Sequence, residues 1–110
     1  MDKFTEFYIL GLDGKAINYP QELSQGETGK LLVGIVNREQ ETAIYWIEVV
    51  IGDVTNNPYG KVTLKDSQKW EEKISFTLYH TGDNQKVEFR LFRQEYPGIY
   101  LNLHLWTNVR

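Results

Sequence analysis

Residues 29–52 read GKLLVGIVNREQETAIYWIEVVIG, two apolar and β-branched runs joined by the charged segment Arg38-Glu39-Gln40-Glu41. In the first run Leu31, Val33 and Ile35 fall on one face, opposite Lys30, Leu32, Gly34 and Val36. In the second, Tyr45, Ile47, Val49 and Ile51 share a face, and Trp46, Glu48 and Val50 share the other. A period of two is the strand period, and β-branched and aromatic side chains suit a pleated, half-buried surface. The linker is short enough to join antiparallel neighbours, so the stretch is expected to form a paired hairpin. Such a pair still exposes an apolar face and needs a second sheet to cover it.

The same alternation runs through the chain. Phe4–Leu10 reads as an opening strand with Phe7 and Ile9 on one face, followed by the turn pair Asp13-Gly14. Lys15–Tyr19 is expected as a short second strand, ended by Pro20. After a loop over 53–60, Lys61–Leu64 reads as a short edge strand. Trp70–His80 places Ile74, Phe76 and Leu78 on one side. Gln85–Arg93 sets Val87, Phe89 and Leu91 against Lys86, Glu88, Arg90 and Phe92. Tyr100–Trp106 carries Leu101, Leu103 and Leu105 on one face. With Pro97-Gly98 centring a type II turn, the last two strands are expected to pair Leu91 with Leu101, Phe89 with Leu103 and Val87 with Leu105 in the core. Phe92 then meets Tyr100, Arg90 meets Asn102, Glu88 meets His104 and Lys86 meets Trp106 on the outer side.

No segment shows a helical period or a helix cap, and no repeat is present. The expectation is an all-β protein, an immunoglobulin-like or fibronectin type III-like antiparallel β-sandwich of about seven strands, forming one domain over residues 1–110. The chain is 41% hydrophobic and 25% charged, which argues against disorder. Twelve Lys and Arg against 15 Asp and Glu give a net charge of −3, a sign that works against nucleic acid or an anionic membrane surface as partner. Absence of cysteine excludes disulfides, thiol chemistry and cysteine-type zinc sites. No stretch approaches the ~20 apolar residues that span a bilayer, and the start is not a signal peptide.

Chemistry is sparse. Ser24, Ser67 and Ser75 lie in no nucleophile motif, and His80 and His104 lack the convergent groups of a catalytic site. Neither histidine, taken with Glu71 or Glu72, makes a zinc-ligand spacing. Asp53, Asn56 and Asn57 carry the oxygens that calcium favours, but in a spacing that reads first as a polar turn. No catalytic residue, cofactor or metal ligand is therefore assigned. Trp46, Val50, Phe92, Tyr100 and Trp106 all fall outward on strands expected to share one sheet. They form the candidate interface, an exposed apolar patch for a homodimer, a neighbouring domain of the parent chain, or a glycan.

Several motifs are similar to those of an archaeal family, domain-of-unknown-function family 1616. They are FTEFYILG over Phe4–Gly11, Asp13-Gly14-Lys15-Ala16, Asn18-Tyr19-Pro20 and Gly34-Ile35-Val36-Asn37 with Glu39 and Tyr45. More loosely, Gly82-Asp83-Asn84 and Lys86-Val87-Glu88-Phe89 follow the same pattern. The resemblance implies an Ig-like module carried on membrane-anchored proteins at the extracytoplasmic face, with its membrane spans outside this stretch. The Val36-Asn37 pair also occurs in cell-adhesion-related sandwich modules, where the asparagine ends a strand and ties down the next loop. No activity or catalytic residue comes with the family. The resulting expectation is a non-enzymatic structural or interaction module, with a carbohydrate-binding module or an accessory domain of an enzyme as the alternative.

Overall fold

Leu31, Val33, Ile35, Tyr45, Ile47 and Val49 are all buried in the computed structural model, so both runs of the 29–52 stretch turn their expected faces inward. The structure describes residues 2–15, 19–56 and 58–110. Its strands are β1 (Phe4–Leu10), β2 (Glu22–Leu23), β3 (Thr28–Arg38), β4 (Ala43–Ile51), β5 (Val54–Thr55), β6 (Tyr59–Leu64), β7 (Lys69–Thr77), β8 (Gly82–Arg93) and β9 (Leu101–Val109). Of these nine described strands, β2 and β5 are two-residue segments, leaving the seven longer ones anticipated from alternation. Most of the expected Lys15–Tyr19 strand lies outside the described residues.

Two sheets face each other. One is three-stranded in the order β1-β3-β7; the other is six-stranded, β2-β9-β8-β4-β5, with β6 also paired to β4. The 29–52 stretch is therefore not a hairpin. β3 is the middle strand of the small sheet and β4 an inner strand of the large one, and the 39–42 connection arches from one layer to the other. Asn37 explains the arch. It is fully buried, and its amide nitrogen donates to the Glu41 carbonyl and the Leu64 carbonyl, both at 2.8 Å. Its Oδ1 accepts the Glu39 backbone N–H at 2.8 Å. One side chain thus satisfies three backbone groups at the layer crossing, as a buried polar side chain must. Gln40 takes a left-handed φ of 63° and its N–H donates to Asp66. The linker also lacks the Asn-Gly or Asp-Gly pair that a two-residue hairpin turn favours.

The β8–β9 hairpin follows the expected register. Leu91 pairs with Leu101, Phe89 with Leu103 and Val87 with Leu105, while Arg90–Asn102, Glu88–His104 and Lys86–Trp106 lie on the outer side. The hydrogen-bonded turn lies ahead of the expected Pro97-Gly98: Tyr96 N–H donates to the Arg93 carbonyl at 3.0 Å and Glu95 takes a left-handed φ of 74°. Leu101 departs from the core expectation at 37% exposure. It begins β9 at the hairpin end, where the three-stranded sheet gives a six-stranded one incomplete cover.

β1 and β7 are the edges of the small sheet. β7 carries Lys69, Glu71, Glu72 and Lys73 along its length, the charged guard that discourages strand addition. On the outer face of this sheet Tyr8 of β1 lies across Gly34 of β3 and donates its hydroxyl to Glu71 of β7 at 2.7 Å. One tyrosine therefore spans all three strands. No helix among the described residues is long and apolar enough to cross a membrane.

Candidate interaction face

Strand alternation places Trp46, Glu48 and Val50 of β4, Lys86, Glu88, Arg90 and Phe92 of β8, and Asn102, His104 and Trp106 of β9 on the outer face of the large sheet. Trp46 pairs with Phe92, and their rings stack at 5.5 Å with 7° between planes. On the other flank of β4, the Lys61 ammonium of β6 stands 5.3 Å from the Trp46 ring centroid. Trp106 is 49% exposed and meets His104 edge-on at 5.4 Å.

The two tryptophans do not form one patch. Trp46 aligns with Phe92 and Trp106 with Lys86, six positions apart on β8 or about 20 Å at the rise of a strand. A polar strip lies between them. Glu88 is buried, and it accepts from Arg90 at 3.1 Å and from the Asn102 amide at 3.0 Å. These hydrogen bonds, Arg90's first, hold its carboxyl below the usual carboxylate range against the opposing effect of burial. The Arg90 Nε–H is buried with no partner among the described residues. Val50, expected at the surface, is only 5% exposed.

Tyr100 leaves the face altogether. It packs against the core, and its hydroxyl donates to Glu39 instead of meeting Phe92. There it joins a polar cluster that sequence reasoning missed. Thr5 of β1 donates to Glu39 at 2.7 Å and shares a 2.7 Å hydrogen bond with the Tyr45 hydroxyl. Arg93 reaches Glu39 at 3.7 Å and Glu41 at 2.7 Å. Burial pushes the Tyr45 hydroxyl up; burial and the neighbouring Glu39 carboxylate do the same to Tyr100. For Arg93 burial works downward, but the bond to Glu41 and the charge of Glu39 prevail and its pKa rises. Glu39 is only 5% exposed, although it sits in a linker of four polar residues. The one sequence signal was Tyr45 itself, whose inward position required a buried partner for its hydroxyl. The cluster joins both sheets at one end, and an open cleft of about 230 Å³ bordered by Glu41 and Arg93 lies beside it.

The remaining candidates stay apart. His80 borders a cleft of about 180 Å³ whose walls contain no serine and no carboxylate. Ser67 contacts Asp66 at 3.3 Å in an exposed turn. Asn56 spends its amide on the Val49 carbonyl at 3.3 Å, and Asn57 lies outside the described residues. Among the described residues no group of three or more His, Asp or Glu is placed to hold a metal ion.

Residues 1–108 match the domain of unknown function DUF1616. The chain belongs to the DUF1616 family. No curated protein is significantly similar in sequence to this DUF1616 domain. Among solved structures it is similar to the CARDB domain of a Pyrococcus furiosus protein in complex with di-metal ions, at TM-score 0.66 and 11% identity over 99% of this chain and 96% of that one. The solution structure of the same CARDB domain gives TM-score 0.66 and 12% identity, covering 98% and 97% of the two chains. Part of E. coli alpha-2-macroglobulin matches at TM-score 0.60 and 15% identity, covering 96% of this chain and 6% of that chain. These likenesses establish that the DUF1616 domain shares the all-β, Ig-like CARDB fold.

Proposed function

We propose that this DUF1616 domain is a non-catalytic interaction module, displayed on the outer side of a membrane-anchored archaeal protein, that binds a protein partner or a second copy of itself through the outer face of β4, β8 and β9. The carrying observation is Trp106, half exposed beside His104 at one end of that face. A large aromatic ring left in water at this level is the kind of side chain that becomes an energetic anchor when covered. The Ig-like fold, the family, and the lack of converging nucleophile, base or metal ligands among the described residues support the same reading. A sugar-stacking platform fits less well, because Trp46 is already flanked by Phe92 and Lys61.

Sedimentation velocity over a wide concentration range tests the self-association form, and retention on membranes of the source cells tests the partner form. Trp106→Ala is expected to weaken either association about tenfold or more with little change in folding stability. A concentration-independent monomer, together with equal membrane retention of wild type and variant, would overturn the proposal.

A further inference from the structure

The two ends of the chain leave the sandwich at opposite poles. β1 starts beside Arg38, at the pole that also holds the beginning of β9, whereas β9 ends at the far pole beside Gly82 and Leu23. The long dimension between poles is 46 Å, against 29 and 20 Å across. Traction applied between Asp2 and Arg110 therefore runs along the strands.

Both terminal strands are held against that direction. β1 is laddered to β3 over its whole length, Phe4 with Arg38 through Leu10 with Leu32. β9 is flanked by β8 and, at its last residues, by the parallel β2. The strap to the 20–25 segment is dense. Asn108 N–H donates to the Gln21 carbonyl at 2.8 Å, Arg110 N–H to the Leu23 carbonyl at 3.0 Å, and Gln25 N–H to the Arg110 carbonyl at 3.0 Å. The buried Thr107 hydroxyl donates to the Pro20 carbonyl at 3.0 Å, and the Asn108 amide to Glu22 at 2.9 Å. The antiparallel β8–β9 bonds stand perpendicular to the strands and those to the parallel β2 run slanted between them, so a pull along β9 loads the bonds together, whereas a pull across it would break them one after another.

We propose that the domain is an in-line, tension-bearing spacer whose terminal clamp is the 20–25 segment strapped to 107–110. This property is independent of which partner the outer sheet face takes.

Single-molecule pulling tests it directly, because the chain lacks cysteine and engineered cysteines supply unique attachment points. One geometry attaches at Asp2→Cys and Arg110→Cys; the other attaches at Asp83→Cys and Arg110→Cys, which peels β9 from β8 at one pole. End-to-end traction is expected to need about twofold or more the unfolding force of the peel, since the rate of forced unfolding follows the barrier along the loaded direction. Thr107→Val with Arg110→Pro, attached through an added C-terminal cysteine, is expected to lower the end-to-end force. Should that pair fail to fold, Arg110→Pro alone removes the Leu23 bond and makes the same measurement. Equal forces in the two geometries would overturn the proposal, as would an end-to-end force unchanged by weakening the strap.

Discussion

Gly34→Ala tests how the small sheet is closed on its outer side. Gly34 does not adopt a left-handed φ, so the glycine is required for room. A Cβ built there would lie 2.0 Å from Tyr8 Cζ and 2.4 Å from its Cε2 and hydroxyl oxygen, far inside contact distance. The ring sits at the end of a side chain on an edge strand, so it yields by swinging outward and the backbone stays in place. Swinging breaks the 2.7 Å bond to Glu71, a loss of about 1 kcal/mol at this exposure. Loss of the ring's contact with β3 adds roughly 1 kcal/mol, taking about 40 Å² of apolar area at 25 cal/mol/Å². Alanine returns about 0.5 kcal/mol through its lower backbone entropy. The net destabilisation is about 1.5 kcal/mol, or roughly 6–12 °C in Tm for a domain near this size. Urea and thermal melts followed by circular dichroism measure it, and a double-mutant cycle with Tyr8→Ala isolates the mechanism. In the Tyr8→Ala background the same substitution should become neutral or slightly stabilising. A neutral Gly34→Ala in the wild-type background, or an equal loss in both backgrounds, would refute the reasoning.

Asn37→Ala should cost about 3 kcal/mol, because it strands the Leu64 and Glu41 carbonyls and the Glu39 N–H at the layer crossing; the shift of the urea midpoint at unchanged slope reads it. Tyr8 has its hydroxyl pKa pushed up to about 12 from 10.0, by burial first and then by Glu71. The folded state therefore keeps this proton longer than the unfolded state. The associated stability is present below pH 10 and falls as pH rises from 10 toward 12. Urea midpoints across that range should decline more steeply in wild type than in Tyr8→Phe.

Local chemistry made some of this architecture readable and hid the rest. Val87, Phe89 and Leu91 could be matched to Leu105, Leu103 and Leu101 because both strands alternate strictly and a one-residue slip would turn one apolar set to water. The 29–52 stretch gave its faces but not its partners. Alternation says which side of a strand is inside; it is silent on which sheet holds the strand. That choice was made by Asn37 reaching Leu64, a contact 27 residues away in sequence. The outer face was legible as a set of side chains, yet its division was not. Trp46 and Trp106 share a face, but their separation depends on the β4–β8 and β8–β9 registers taken together. Tyr100 was misplaced because its polar end found Glu39, in a linker whose composition suggested water.

The arch at residues 39–42 also has a consequence for the order of assembly. β3 and β4 are adjacent in the chain but gain no pairing from adjacency. Ile35 must wait for Phe7 or Trp70, each some tens of residues away, whereas Ile47 meets Tyr59 after a much shorter loop. The β4–β5, β4–β6 and β8–β9 pairings carry no such delay. Folding should start there and proceed on the millisecond-to-second scale of non-local β topologies, with β3 remaining unpaired until late.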